Sequence, residues 1–346
     1  VKNIVLTGGG TGGHLFAALA FARFLKGKGY NPILVGSDYG LEKRILPLYD
    51  FEYYLLKSRG IAGKGLVEKV KGFFGVSQAF FESLKLISKT KPVFTVGFGG
   101  YVSFPVVLAS VTKGVRSAIL EQNSIPGKAN RVLSRLCNFT FVNFEVTKRF
   151  FKNAIVVGNP TRIKFKDFKR TIKKPFIIGV IGGSRGAKSI NNAMIELSDF
   201  NTNFKVIHQT GDRDYERVKS AYKKNKKDWE VHRFIDDIES FYKSIDFIVC
   251  RAGASTLSEV SCAALGSILV PYPYAIYNHQ YFNAKVFADA HAALILEDRD
   301  LTGKKILSII SSLTVDKLQE MSENAKKLCK PDACERMFEI MVAGRR

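Results

Sequence analysis

No apolar run in these 346 residues approaches the ~18 that a membrane-spanning helix needs, which excludes a chain built on such helices. The opening residues, Val1-Lys2-Asn3-Ile4-Val5-Leu6, lead straight into a glycine-rich loop. They lack the apolar stretch and cleavage site of a secretory leader, so a location on the cytosolic side is expected. Cysteine is scarce, with five residues at 137, 250, 262, 329 and 334. An odd number without knuckle-like spacing excludes a disulfide scaffold and offers no zinc site, and reduced thiols are the expectation. Acidic residues are also few: 31 Asp and Glu face 53 Lys and Arg, for a net charge of +22. Residues 1–158 hold 22 basic and 8 acidic side chains, and residues 159–346 hold 31 and 23. The excess in the first half calls for an anionic partner, whether a phosphorylated substrate, a membrane surface or a nucleic acid. Lys-rich coding bias is the simpler source of part of it. No helix-turn-helix, zinc or RNP-type pattern supports nucleic acid.

What is present is a globular composition, 46% hydrophobic and 24% charged, at a length suited to about two domains. Short apolar runs alternate with glycine-rich turns and helical stretches. Asn3–Thr7 precedes Gly8-Gly9-Gly10-Thr11-Gly12-Gly13 and a helix to about Gly27; Phe94–Val96 precedes Gly97-Phe98-Gly99-Gly100 and a helix to about Ser110. Further strands are read at 31–35, 117–120, 139–143 and 155–157. After Gly158-Asn159-Pro160 the pattern restarts with strand 176–181, the loop Gly182-Gly183-Ser184-Arg185-Gly186-Ala187 and a helix from about Lys188. Strands follow near 204–208, 231–234, 247–250 and 267–271, with a helix over 256–264. Strand–loop–helix alternation predicts parallel sheets covered on both faces, here in two similar α/β domains. The polar, basic stretch 164–174 reads as a linker or an edge, and Lys330-Pro331 breaks the last helix, so that the final segment is expected to cross back to the first domain.

Each loop has a chemical use. Glycines let backbone approach a phosphate, and a helix amino terminus supplies N–H groups and a positive dipole end. A dinucleotide cofactor would also want an acid at the end of the second strand, where Val35-Gly36-Ser37 stands and Asp38 comes late. His14, in the first turn after the loop, has the intrinsic pKa of a general base near neutrality. Within Arg251–Glu259, Glu259 reads either as half of a capping box with Thr256 or as a carboxylate for ribose hydroxyls. Glu121-Gln122-Asn123, Asn278-His279-Gln280 and Asn283 offer polar groups suited to a hydroxylated ligand. Between Leu66 and Leu84, bulky apolar residues (Val67, Val70, Phe73, Phe74, Phe80, Phe81) mix with Lys69 and Lys71, and Lys57, Arg59 and Lys64 precede them. This stretch reads as a membrane-surface patch or as a buried amphipathic helix with a solvated basic face.

Taken in order, these segments, with His208-Gln209-Thr210-Gly211 and Phe234-Ile235-Asp236-Asp237, resemble the MurG family of peptidoglycan N-acetylglucosaminyltransferases over nearly the whole chain. The resemblance implies the GT-B fold, two Rossmann-like doubly wound α/β domains facing a cleft. Residues 1–160 would form an acceptor- and membrane-binding domain, 161–330 the UDP-GlcNAc-binding domain, and 331–346 a helix packing back on the first. It implies inverting transfer of N-acetylglucosamine from UDP-GlcNAc to the 4-hydroxyl of undecaprenyl-diphospho-N-acetylmuramoyl-pentapeptide (lipid I), giving lipid II. That would place the chain in cell-wall biogenesis, and so in cell shape and division. No metal or cofactor is implied, because UDP-GlcNAc is a substrate. The setting would be peripheral, on an anionic membrane at the cytoplasmic face of the bacterial inner membrane, in the company of other cell-wall synthesis proteins.

By motif position, Ser184 would meet the diphosphate, Ile235 the uracil and Glu259 the ribose, with Ala254, Ser255, Thr256, Leu257 and Ser258 around the nucleotide. Gln280 would hold the sugar hydroxyls. Arg162, Thr11, Gly12, Gly13 and Asn123 would be further donor contacts. His14 is the first candidate for catalytic base and Glu121 the second. Three positions depart from the family's pattern: Ala17 stands for Pro, Arg185 for Gln and Leu120 for His.

Overall fold

In the computed structural model, residues 1–57, 66–163, 165, 168–183 and 186–344 are described, with backbone alone for 66–74. The chain divides into two compact units, Val1–Arg162 with Asp332–Arg346, and Ile163–Pro331.

The first unit runs β1 (Asn3–Thr7), α1 (Gly12–Gly27), β2 (Asn31–Ser37), α2 (Leu41–Ile45), β3 (Glu52–Leu56), α3 (Leu66–Thr90), β4 (Phe94–Gly97), α4 (Ser103–Thr112), β5 (Ser117–Glu121), α5 (Lys128–Leu133), β6 (Phe139–Val142) and β7 (Ala154–Val156). Its strands lie parallel in the order β3-β2-β1-β4-β5-β6-β7. The second unit has β8 (Ile177–Ile181), α6 (Lys188–Ser198), β9 (Lys205–Gln209), α7 (Tyr215–Lys224), β10 (Glu230–His232), α8 (Ile238–Ser244), β11 (Phe247–Cys250), α9 (Ala254–Cys262), β12 (Gly266–Leu269), α10 (His279–Asp289), β13 (Ala293–Ile295), α11 (Gly303–Ser312) and α12 (Val315–Leu328). Its order, β10-β9-β8-β11-β12-β13, repeats the first six positions of the other sheet. α13 (Ala333–Ala343) follows.

Strands buried on both faces read as near-continuous apolar runs, because helices cover a parallel sheet above and below. β1 is buried from Ile4 to Thr7, and β11 along its whole length. In the first unit, Leu15, Phe21, Ala22 and Leu25 of α1 pack on one sheet face with Leu6, Phe94 and Phe141. Leu86 and Ile87 of α3 join Val5, Ile33 and Val106 on the other. Sheet order reverses between β1 and β4, and again between β8 and β11. Ligands of doubly wound folds bind beyond the strand carboxyl ends at such switch points. The short strands β3 and β13 are additions to the sequence reading.

Two expectations change. The stretch near 164–174 is not simply a linker. Arg170, 8% exposed, donates to the carbonyls of Tyr242, Ile245, Ala263 and Ala264, and Phe165 and Ile172 are buried. As read from the sequence, the last helical stretch divides at Lys330-Pro331: Pro331 lacks an N–H and cannot continue the helix, so α12 ends at Leu328 and α13 begins at Ala333. α13 packs in the first unit, with Met337 and Met341 buried and Phe338 edge-on to Phe24 and Tyr30. Finally, the thiols are not all reduced. Cys262 and Cys329, 67 residues apart in sequence, form a disulfide where α9 packs beside α12. Cys137, Cys250 and Cys334 are free thiols, each pushed up to about 12 by burial.

Candidate functional site

At the first switch point the two glycine loops are knitted together. The Gly9 N–H donates to Gly99 O over 3.2 Å, and Ser103 Oγ donates to Thr7 O and Gly99 O. Gly100 has φ +82° and lies so close to Gly9 that a Cβ there would strike its carbonyl. Thr11 is the exposed N-cap of α1, and Gly12 and Gly13 open the helix, so its positive end faces out of the loop. Arg162 lays its guanidinium over the Phe16 ring, 4.4 Å from the centroid, and Phe16 in turn borders Gly12.

His14 sits 3.0 Å from Gly9 O through Nδ1, with Thr11 Oγ1 at 3.1 Å. A carbonyl can only accept, so Nδ1 carries the proton and the basic lone pair is on Nε2. Gly99, at φ +102°, lies against that imidazole: a Cβ there would be 3.0 Å from Nε2.

Glu121 ends β5 and is 3% exposed. Its carboxylate accepts from Asn123 N at 2.9 Å, Asn123 Nδ2 at 3.3 Å, Gly127 N at 3.2 Å and Asn130 Nδ2 at 2.8 Å. Burial raises its pKa, and these hydrogen bonds oppose the rise. A carboxylate so engaged organises the loop carrying Asn123 rather than reaching for a substrate proton.

Glu42 stands in α2, which follows β2. It is 1% exposed and accepts the Gly10 N–H. It therefore holds the glycine loop from within. No motif marked Glu42, because a five-residue helix carries it across 32 positions to its partner.

In the second unit, loops after β8, β10, β11 and β12 bring Gly183, Ile235, Ala254–Glu259 and Gln280 to the carboxyl edge of one sheet. Ser184 and Arg185 lie outside the described residues. Gln209 spans two loops: its Nε2 donates to Gly183 O at 3.1 Å, and its Oε1 accepts from Ile235 N at 2.9 Å. α9 starts at Ala254 behind the N-cap Gly253, which puts Thr256 inside the helix, so no capping box with Glu259 forms. Glu259 is 5% exposed and accepts from Tyr242 Oη at 3.0 Å. Leu257 turns its side chain into the core, so it can serve a ligand only through backbone. Ser258 Oγ donates to Ala254 O, and Ser255 and Thr256 are half-buried. Gln280 Oε1 accepts from Tyr272 N at 3.0 Å, which turns its amide NH₂ away from that loop. Asn283 is buried and donates to Ala252 O, a structural tie from α10 to the α9 loop.

Arg251 also escaped a role at the sequence level. Its Nη1 meets Asp298 Oδ1 at 2.6 Å and its Nη2 meets Ser189 Oγ at 2.7 Å, pinning the start of the α9 loop. The sequence contains two Asp-x-Asp spacings, 212–214 and 298–300. Asp214 is bonded to Asn191 and Arg217, and Asp298 to Arg251 and Ser189. Among the described residues, no group of three His, Cys, Asp or Glu side chains could hold a metal ion. Nor does any described helix have the length and apolarity to cross a membrane. On α3, Phe81 is 63% exposed while Ala79, Leu86 and Ile87 are buried; Arg59, Lys64 and the side chains of 66–74 lie outside the description.

Residues 4–142 match the glycosyltransferase family 28 N-terminal domain, and residues 177–337 match the family 28 C-terminal domain. The UDP-N-acetylglucosamine–N-acetylmuramyl-(pentapeptide) pyrophosphoryl-undecaprenol N-acetylglucosamine transferase of Myxococcus xanthus is 37% identical over 99% of this chain and 93% of its own length. The protein of the same name from Geobacter sp. strain M21 is 35% identical over 98% and 95%. Among solved structures, MurG of Acinetobacter baumannii superposes with a TM-score of 0.81 at 28% identity, covering 99% of this chain and all of that one. The calicheamicin glycosyltransferase CalG4, 13% identical with a TM-score of 0.69, shares the fold. With two doubly wound units of one strand order, glycine loops at both switch points and full-length relatives, the chain belongs to the MurG family of GT-B, family 28 glycosyltransferases.

Proposed function

We propose that this chain transfers N-acetylglucosamine from UDP-GlcNAc to the muramoyl 4-hydroxyl of lipid I, giving lipid II with inversion at the anomeric carbon. The observation that carries the reading is end-to-end similarity to transferases named for this reaction. The acceptor oxygen attacks the anomeric carbon as the bond to the UDP oxygen breaks, and His14 Nε2 takes the hydroxyl proton. His14 is favoured over Glu121 because its Nδ1–H is committed to Gly9 O, whereas the Glu121 carboxylate is enclosed by loop donors.

In this reading the second unit holds the donor: Ile235 at the uracil, Glu259 at the ribose, Ser184 at the diphosphate and Gln280 at the sugar hydroxyls. Residues 254–258 frame the nucleotide. Thr11, Gly12, Gly13, Asn123 and Arg162 are further donor contacts, and the cation of Arg162 suits departing diphosphate charge. Backbone N–H groups at the amino end of α6 favour that charge as well. The first unit takes lipid I, and its basic excess, with the apolar residues of α3, suits the anionic cytoplasmic face of the inner membrane.

The test is UDP release from UDP-GlcNAc with and without a short-chain lipid I analogue. Release that depends on the analogue is expected. Tight donor binding without it would leave the donor half standing and overturn the acceptor.

A further inference from the structure

Resting on the assignment of Glu259 to the donor ribose, we infer that Tyr242 is a positioning residue for ribose recognition, acting through its hydrogen bond to the Glu259 carboxylate.

Glu259 lies in the second turn of α9 and Tyr242 near the end of α8, with 5% and 1% of their surfaces exposed. The phenol donates to Glu259 Oε2 over 3.0 Å. A carboxylate side chain has three rotatable bonds, and one at the edge of a binding site would otherwise sample several rotamers. A short donor from a neighbouring helix selects one of them and supplies part of the solvation lost on burial.

The two helices are themselves held in register. Arg170 Nη2 donates to Tyr242 O at 2.6 Å and to Ala263 O at 2.9 Å, and Arg170 Nε donates to Ala264 O at 3.1 Å. One guanidinium thus joins the carboxyl end of α8 to that of α9, fixing the span across which the phenol reaches the acid. At the other end of α8, Asp237 caps the helix by accepting from Ser240 N at 3.0 Å, two residues beyond Ile235. The base and ribose assignments are therefore connected through α8, and Tyr242 is its link to the acid.

Tyr242→Phe removes one oxygen and keeps the ring in its packed place. The readout is discrimination: the Kd for 2′-deoxy-UDP and for 3′-deoxy-UDP, each divided by that for UDP, by calorimetry. The parent enzyme is expected to prefer UDP, and Glu259→Gln to abolish the preference. Tyr242→Phe is expected to lower it roughly fivefold, the value of one hydrogen bond. In the double variant Tyr242→Phe should add nothing to Glu259→Gln. A Tyr242→Phe protein that weakens UDP and its deoxy analogues equally, or that keeps full discrimination while Glu259→Gln loses it, overturns the positioning role and leaves the ribose assignment intact. Discrimination that survives Glu259→Gln overturns the ribose assignment and the positioning role with it.

Discussion

At the scale of single residues, a side chain's use follows from what its polar atoms have already engaged. His14 and Glu121 both have claims in sequence as titratable groups beside polar loops, His14 in the first helical turn after a glycine loop and Glu121 at the end of a strand. In the structure the Glu121 carboxylate accepts from its own loop, and the His14 proton is assigned to Nδ1 by a carbonyl. His14→Ala is therefore expected to lower kcat about 10²- to 10⁴-fold, the usual worth of a general base, with little change in the Kd for UDP-GlcNAc. Single-turnover kinetics beside equilibrium binding would show it, and near-normal turnover would remove His14 from the mechanism. The glycine loop beside it was legible because glycine, threonine and histidine are adjacent in the chain. Glu42, which holds that loop, was not: nothing local tells a buried acid 32 residues away from a solvated one.

At the scale of elements, the strand–loop–helix units were legible because apolar period and glycine position are local properties. Their ends moved by one or two residues, since ladder pairing with a neighbour, not composition, decides where a strand stops. The pairings between elements were hidden. Cys262 with Cys329, and Tyr242 with Glu259, depend on which helices lie side by side. The network at β9 is of this kind. His208, fully buried, lies 2.7 Å from Tyr222 Oη of α7 and 3.1 Å from Asn191 Oδ1 of α6. Burial lowers its pKa to about 3 from an ordinary 6.5, so the folded unit holds it neutral. Between those values the unfolded chain binds a proton that the folded chain does not. Its contribution is thus complete above pH 6.5 and is lost as pH falls toward 3. The urea midpoint of the second unit is expected to decline through this window, and the decline should be shallower in His208→Gln.

At the scale of the whole molecule, two units share one design and differ in their reporters. The sole tryptophan, Trp229, belongs to the second unit, edge-on to Tyr222 at 4.9 Å and stacked near Phe204. Met337, on α13, is fully buried among first-unit residues. Met337→Ala should destabilise the first unit by about 2–5 kcal/mol. Circular dichroism should record an earlier unfolding phase that tryptophan fluorescence does not see. Coincident shifts in both signals would mean that the units unfold as one.

The return of α13 to the first unit also bears on synthesis. A ribosome releases Val1–Arg162 long before Ala333–Ala343, yet both line the same core. Ile163–Pro331 can finish folding on emergence, while the earlier-made half waits with the seats of Met337 and Met341 uncovered. That interval, set by translation of the intervening residues, is when the nascent chain most needs a chaperone.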